Sequence, residues 1–180
     1  DEKSISIAIQ KILSKKQQID VLVNNAGWGL FGSVEDVPIK DFRAQFETNF
    51  FGIISIIQKV APVMRNQGSG VIVNISSVAG RIGFPGSSAY ISSKFALEGL
   101  SESLRYELGQ FGVKVIIIEP GVVKTNFFSS MKVAEPKPDS PYKEITQKVI
   151  MGVKMMAELG TPPSEVAKVI LNAIKEENPR

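Results

Sequence analysis

Residues 113–121 read Val-Lys-Val-Ile-Ile-Ile-Glu-Pro-Gly, and residues 19–27 read Ile-Asp-Val-Leu-Val-Asn-Asn-Ala-Gly. In the first stretch Val115 to Ile118 run apolar without alternation, the pattern of a strand that helices cover on both faces, and Pro120-Gly121 stops it. Val21 to Val23, bounded by Asp20 and the Asn24-Asn25-Ala26-Gly27 turn, predicts a short strand at 19–24, also buried on both faces. A third apolar run predicts a strand at 70–76, and the strand of the first stretch is placed at 113–119.

Between these runs the apolar period changes. Ile5, Ile9, Ile12 and Leu13 share one helical face, so the chain starts inside a helix that polar Lys15 to Gln18 closes. Pro38 suits the first turn of a single long helix through Phe42, Phe46, Phe50, Ile53, Ile54 and Ile57 towards Asn66, ended by Gly68-Ser69-Gly70. Further helices are predicted at about 88–110, 142–159 and 164–177, the last introduced by Thr161-Pro162-Pro163. Three rounds of helix and fully apolar strand define an α/β fold with a parallel sheet and right-handed crossovers. No repeat or long linker divides residues 1–180, which read as one domain.

Composition narrows the chemistry. With 21 Lys and Arg against 18 Asp and Glu the net charge is +3, too little for a nucleic-acid binder. The chain has no Cys and no His, which removes disulfides, thiolate nucleophiles, Ser-His-Asp machinery and the usual zinc ligands, so no metal site is expected. Acid–base work falls to Tyr, Lys, Ser, Asp or Glu. No apolar run approaches the ~20 residues of a membrane span, and the Asp1-Glu2-Lys3 start lacks the character of a signal peptide, giving the expectation of a cytoplasmic protein whose true N-terminus lies further upstream.

In open α/β sheets ligands bind beyond the C-terminal ends of the strands. Those ends carry Asn24-Asn25-Ala26-Gly27, Ser76-Ser77 and Pro120-Gly121. The helix after the second strand adds Tyr90 and Lys94, whose i,i+4 spacing makes them neighbours on one face. Tyr90 is the candidate acid or base. Bringing a phenol from pH ~10 to about 7 takes about 4 kcal/mol. A cation at ~4 Å supplies that at an effective dielectric near 20, but only about 1 kcal/mol in bulk water. Lys94 therefore helps only in a partly dry cleft, where a cationic cofactor ring could add the remainder.

Taken together, Asn24-Asn25-Ala26-Gly27, Asn49 of Asn-Phe-Phe-Gly, Ser77, Tyr90-x-x-x-Lys94, and Pro120-Gly121 followed by Val123 and Thr125 resemble the short-chain dehydrogenase/reductase family. Thirteen residues separate Ser77 from Tyr90 and 28 separate Asn49 from Ser77, as in that family. The resemblance implies a Rossmann-like doubly wound sheet and an oxidoreductase that passes a hydride between NAD or NADP and an alcohol or ketone. By it, Tyr90 exchanges the substrate's proton, Ser77 holds the carbonyl oxygen, Lys94 lowers the Tyr90 pKa and holds the nicotinamide ribose, and Asn49 positions a water in the proton relay. Asn24, Ala26, Gly27, Pro120, Gly121, Val123 and Thr125 join Tyr90 and Lys94 around the cofactor. Residues 122–160 become a substrate-loop region, and the two long helices become an interface of a homodimer or homotetramer, through Phe42, Phe46, Phe50, Ile53 and Ile57 on one and Phe95, Leu97, Leu100 and Leu104 on the other.

One match is rejected. Gly27-Trp28-Gly29-Leu30-Phe31-Gly32 fits G-x-G-x-x-G after a strand, but no helix opens at its third glycine and the acid at the required distance, Glu47, lies on a helix. It reads as a loop bordering the substrate. The family's first half, with its pyrophosphate-binding turn, is missing, and Asn178-Pro179-Arg180 stops short of a further family strand. A three-stranded remnant would leave a bare edge at its first strand and an uncovered sheet face, which favours a longer parent chain. Trp28, Leu30, Phe84, Phe127, Phe128, Met131, Met155 and Met156 suggest an apolar substrate pocket. Two alternatives are a noncatalytic binding or assembly module of the same fold and an epimerase using the same Tyr-Lys pair.

Overall fold

The structure is a computed structural model that describes residues 1–177, so the expectation attached to Asn178-Pro179-Arg180 lies outside the described residues. Its elements run α1 (Glu2–Lys16), β1 (Val21–Asn24), β2 (Leu30–Phe31), α2 (Ile39–Phe46), α3 (Gly52–Gln67), β3 (Gly70–Ile75), α4 (Ser88–Gly109), β4 (Val113–Ile118), β5 (Lys132–Val133), α5 (Lys143–Glu158) and α6 (Pro163–Lys175). The three expected strands form one parallel sheet in the order β1-β3-β4, with Asn24 opposite Asn74 and Ile75 opposite Ile118. The chain has the α/β Rossmann-like architecture.

Helices cover both faces of the sheet. On one face Ile53, Ile57, Val60 and Met64 of α3 and Leu97, Leu104 and Leu108 of α4 pack over Ile72, Val113 and Val115. On the other, Val166, Ile170 and Ile174 of α6 pack on Val73, Ile116 and Ile118. This two-sided burial is why β3 and β4 carry unbroken apolar runs. β1 departs from expectation. Val21 and Val23 are 39% and 42% exposed, because β1 is an edge strand and α6 packs only on β3 and β4. In register with Val71 and Val73, they point to the face that α6 leaves uncovered there. The bare edge and open face expected of a three-stranded sheet are thus present.

Two local features differ from the sequence reading. The helix expected at 38–66 is interrupted by a π-helical turn at Glu47–Phe51, between α2 and α3. Such one-residue insertions are common at functional sites, and this one buries Asn49 completely. A second parallel pair, β2 with β5, sets Leu30 opposite Lys132 and Phe31 opposite Val133. Two-residue strands carry no periodicity, so the sequence offered no signal for them. At the start, the Asp1 carboxylate caps α1 by accepting from the Lys3 amide at 3.0 Å.

Candidate active site

The strand ends converge as expected. Beyond β3 and β4 the pairing continues into the loops: the Ser76 amide donates to Ile118 O at 2.7 Å and the Val78 amide to Pro120 O at 3.1 Å. Ser77 therefore stands next to Pro120, its hydroxyl 3.5 Å from that carbonyl. α4 starts just past this turn and lays Tyr90, Lys94 and Glu98 along its buried side, one helical turn apart, at 9%, 6% and 5% exposure.

The ring of Tyr90 sits between two aromatics, with Phe31 nearly parallel at 6.4 Å between centroids and Phe127 tilted at 5.6 Å. Burial pushes its phenol above the ordinary tyrosine range, and the hydrogen bond with Ser77 pulls it back down in part. Lys94 Nζ donates to Ile75 O at 2.8 Å and lies 5.8 Å from the Tyr90 ring centroid. Burial lowers its pKa to about 8, and the charge of Glu98 opposes that fall. The direct influences on the Tyr90 phenol in this arrangement are burial and Ser77. The ammonium is drawn to the end of β3, while dry surroundings disfavour a phenolate.

Asn49 reaches inward from the π turn. Its Oδ1 accepts from the Trp28 amide at 3.2 Å, and its Nδ2 donates to Trp28 O at 3.0 Å and Ser93 Oγ at 3.3 Å. Gln45, fully buried, repeats the motif by donating to Trp28 O and accepting from the Leu30 amide. The two amides fix the 27–31 loop beside Tyr90, and a Cβ on Gly27 would come within 3.3 Å of Asn49 Oδ1. That loop is the rejected glycine motif, here held by side chains.

Asn24 belongs to a buried chain of hydrogen bonds. Its Nδ2 donates to Asn74 Oδ1 (2.8 Å), Asn74 Nδ2 to Ser101 Oγ (2.8 Å), and Ser101 Oγ to Leu97 O (2.6 Å), tying β1 and β3 to α4. Asn24 Oδ1 remains buried without a partner among the described residues. Ala26 and Gly27 are exposed beyond it, and a Cβ on Gly121 would meet nothing within 4 Å, so backbone is open at both strand exits. Val123 bridges to Thr161. Thr125 is exposed, and its Oγ1 accepts from the Phe127 amide at 3.2 Å, steering Phe127 towards Tyr90.

The apolar candidates separate. Phe127 reaches Tyr90, and Phe128 packs edge-on against Phe127 at 5.3 Å. Leu30 is fully buried with Val37, Ala89 and Ala134 and belongs to the core. Met155 and Met156 are 63% and 54% exposed on α5. Of the long-helix residues, Ile53, Ile57, Leu97 and Leu104 are core, whereas Phe51 and Phe95 are exposed. Sequence reasoning missed Gln45, Asn74, Ser93 and the pair Arg81 and Glu98. Only Glu98 left a signal, an acid one turn beyond Lys94 on the buried side of α4.

A parallel sheet covered by helices on both faces, with polar groups and open backbone at its C-terminal edge, defines a Rossmann-like scaffold. The family model described as short chain dehydrogenase matches residues 1–136, and the chain belongs to that family. Among curated proteins it is 46% identical over 173 residues to the uncharacterized oxidoreductase YusZ of Bacillus subtilis, covering 94% of this chain and 61% of that protein. It is 37% identical over 169 residues to retinol dehydrogenase 8 of Homo sapiens, covering 90% and 54%. A solved short-chain dehydrogenase from Streptomyces avermitilis superposes with a TM-score of 0.86 at 34% identity over 100% of this chain and 65% of its own. A gluconate 5-dehydrogenase from Burkholderia cenocepacia, solved with NADP and tartrate, superposes with a TM-score of 0.68 at 27% identity over 71% and 50%. The chain thus spans about three-fifths of the length of its curated relative YusZ.

Proposed function

We propose that this chain carries the proton-handling and substrate-facing part of an NAD(P)-dependent oxidoreductase that interconverts a hydroxyl and a carbonyl group. The observation that carries the reading is the joint burial of Tyr90 and Lys94 on one side of α4, beside the turn that carries Ser77, at the meeting of three strand ends. The residues fit a dinucleotide. Lys94 commits one of its three N–H bonds, to Ile75 O, leaving two for a ribose diol. Gly121 leaves open space for a flat ring, and the unpartnered Asn24 Oδ1 awaits a donor. Bound NAD(P) would supply the carbon that accepts or gives the hydride, and a positive ring that lowers the phenol's pKa.

The chain's own residues then manage the proton. In the oxidative direction Tyr90 as phenolate takes the hydroxyl proton while Ser77 donates a hydrogen bond to the same oxygen; in reduction Tyr90 returns the proton to the alkoxide. Lys94 keeps the phenolate tolerable in a dry site. Asn49 acts by holding the Trp28 loop, and relays protons through a water it positions. Phe31, Phe127 and Phe128 give the site an apolar wall suited to a hydrophobic alcohol or ketone, a class to which the name of the human relative also points. Exposed Phe95 on α4 and exposed Phe51 at the π turn support self-association, whereas Ile53, Ile57, Leu97 and Leu104 of the face expected from sequence belong to the core.

The test uses the protein at natural length, with melting shifts in NADH and NADPH and turnover across a panel of alcohols. Tyr90→Phe is expected to keep the cofactor-induced shift and lose turnover by about 10²–10⁴-fold. Absence of any shift in both forms would favour a noncatalytic module of the same fold.

A further inference from the structure

We propose that Glu98 is a positioning residue of the site: its buried carboxylate, one turn beyond Lys94 on the same face of α4, keeps that ammonium charged beside Tyr90. The inference rests on the reading of Tyr90 and Lys94 given above.

The side chain of Glu98 is only 6% exposed, and neither oxygen receives a hydrogen bond among the described residues. A buried carboxylate without donors is costly, and a leucine or methionine would suit a sheet-facing helix position better on stability alone. The surroundings are nevertheless built against it. A Cβ on Gly80 would fall 2.8 Å from Glu98 Oε1 and 2.8 Å from Ser76 Oγ, so the turn carrying Ser77 closes directly onto this carboxylate.

The charged groups around it assign its partner. Arg81, from that turn, gives its Nε and Nη2 to Glu119 Oε1 at 3.0 and 2.8 Å, at the end of β4. The same Nη2 stands 3.3 Å from Glu98 Oε2, and Nη1 3.7 Å from Glu102 Oε1 on the exposed side of α4. Arg81 is thus shared among three acids, with Glu119 holding it by two hydrogen bonds. That sharing leaves negative charge on Glu98 uncompensated, and the remaining cation on its face of the helix is Lys94. Lys94 makes no ion pair among the described residues, so the two act across a gap while Nζ stays on Ile75 O, aimed at the site. Burial and the neighbouring Glu119 and Glu102 raise Glu98 above the ordinary carboxylate range, and Ser76 and Arg81 oppose this. The charge of Glu98 thus makes that of buried Lys94 more tolerable.

The experiment reads Lys94 itself. In natural-length protein without cofactor, its side-chain NMR signal, assigned with Lys94→Met, is titrated in wild type and in Glu98→Gln, Glu98→Asp and Glu119→Gln. Glu98→Gln is expected to move the midpoint down by about one pH unit, the size of one charge–charge contact across a partly dry gap, and Glu98→Asp to restore most of it. Glu119→Gln frees Arg81 to neutralise Glu98, so it shifts Lys94 in the same direction without altering the carboxylate and serves should Glu98→Gln not fold. With NADP⁺ and a medium-chain secondary alcohol, the alkaline limb of kcat moves down with the midpoint while KM holds. An unmoved Lys94 midpoint in these variants overturns the inference, provided Tyr90→Phe is inactive. A fully active Tyr90→Phe removes instead the reading on which it rests.

Discussion

Two carboxylates are withdrawn from solvent among the described residues, and the fold treats them in opposite ways. Asp36, in the loop after β2, is 6% exposed and held by three donors. Its Oδ2 accepts from Ser33 Oγ at 2.6 Å and Ser140 Oγ at 2.7 Å, and its Oδ1 from the Lys137 amide at 3.1 Å. Those bonds hold it below the usual carboxylate range. Glu98 has the same charge and similar burial, yet it is met by only a shared Arg81 nitrogen at 3.3 Å and is held above that range. A carboxylate held by three donors ties chain to chain; here it clasps 33–37 to 137–140, alongside the β2–β5 pair. A carboxylate left short of donors holds its electrostatic influence in reserve. On α4 that reserve faces Lys94, itself an incompletely bonded buried charge.

The largest test of the contrast is Lys94→Met. If α4 keeps unsatisfied charge for chemistry, the variant loses turnover and gains stability. The sign follows from linkage: the folded pKa of about 8 lies below the ordinary 10.5, so the native state disfavours the proton that the unfolded chain keeps. The cost is fully present below pH 8 and fades as pH rises towards 10.5. That difference converts to about 3 kcal/mol, less about 1 kcal/mol for the lost bond to Ile75 O, so a gain of about 2 kcal/mol is expected at pH 7. Urea unfolding of both proteins from pH 7 to 10.5 measures it. A gap that does not narrow at high pH breaks the contrast.

Asp36→Asn is expected to do the reverse, leaving the chemical step intact and loosening the clasp. Limited proteolysis at neutral pH reports faster cleavage within 122–142 and an unchanged kcat once substrate is saturating. Because its folded pKa is depressed, Asp36 contributes stability above its ordinary value of 3.8 and loses it as pH falls through the lower folded value. In wild type the loop therefore becomes cleavable on acidification, whereas the Asn variant is cleavable throughout. A variant as resistant as wild type at neutral pH would show that the β2–β5 pair alone holds the loop.

The same contrast explains how much the sequence disclosed. Tyr90, Lys94 and Ser77 were legible because a regular helix and regular strand ends fix their relative places, so that i,i+4 spacing and a strand-exit position translate directly into proximity. The buried strands β3 and β4 were legible because their apolar runs report cover on both faces. β1 carries the same pattern without the cover, since a run of Val, Leu and Val records what a face is suited to and not what lies on it. Asp36 left no trace, because its partners Lys137 and Ser140 lie about a hundred residues away and meet it only through an irregular loop. The interruption at Glu47–Phe51 was hidden for a related reason: one inserted residue leaves the apolar spacing of Phe42, Phe46, Phe50 and Ile53 almost unchanged. Spacing says that Lys94 is near Tyr90, but not that Ile75 O will claim its nitrogen.

Thr125 is the intermediate case, and its effect is expected to be the smallest. Its Oγ1 accepts from the Phe127 amide, the kind of local turn bond that holds Asp36, yet the hydroxyl proton is committed to nothing among the described residues. If that proton is held for the cofactor, Thr125→Val weakens NADH or NADPH binding about fivefold, the worth of one neutral hydrogen bond of about 1 kcal/mol, while kcat stays within about twofold. Thr125→Ser keeps both donor and acceptor and is expected to bind as wild type does. Calorimetric titration of the three proteins separates the outcomes. Equal affinity in the valine variant would place Thr125 with Asp36 among the residues that shape the loop, and Phe127's approach to Tyr90 would then be its whole contribution.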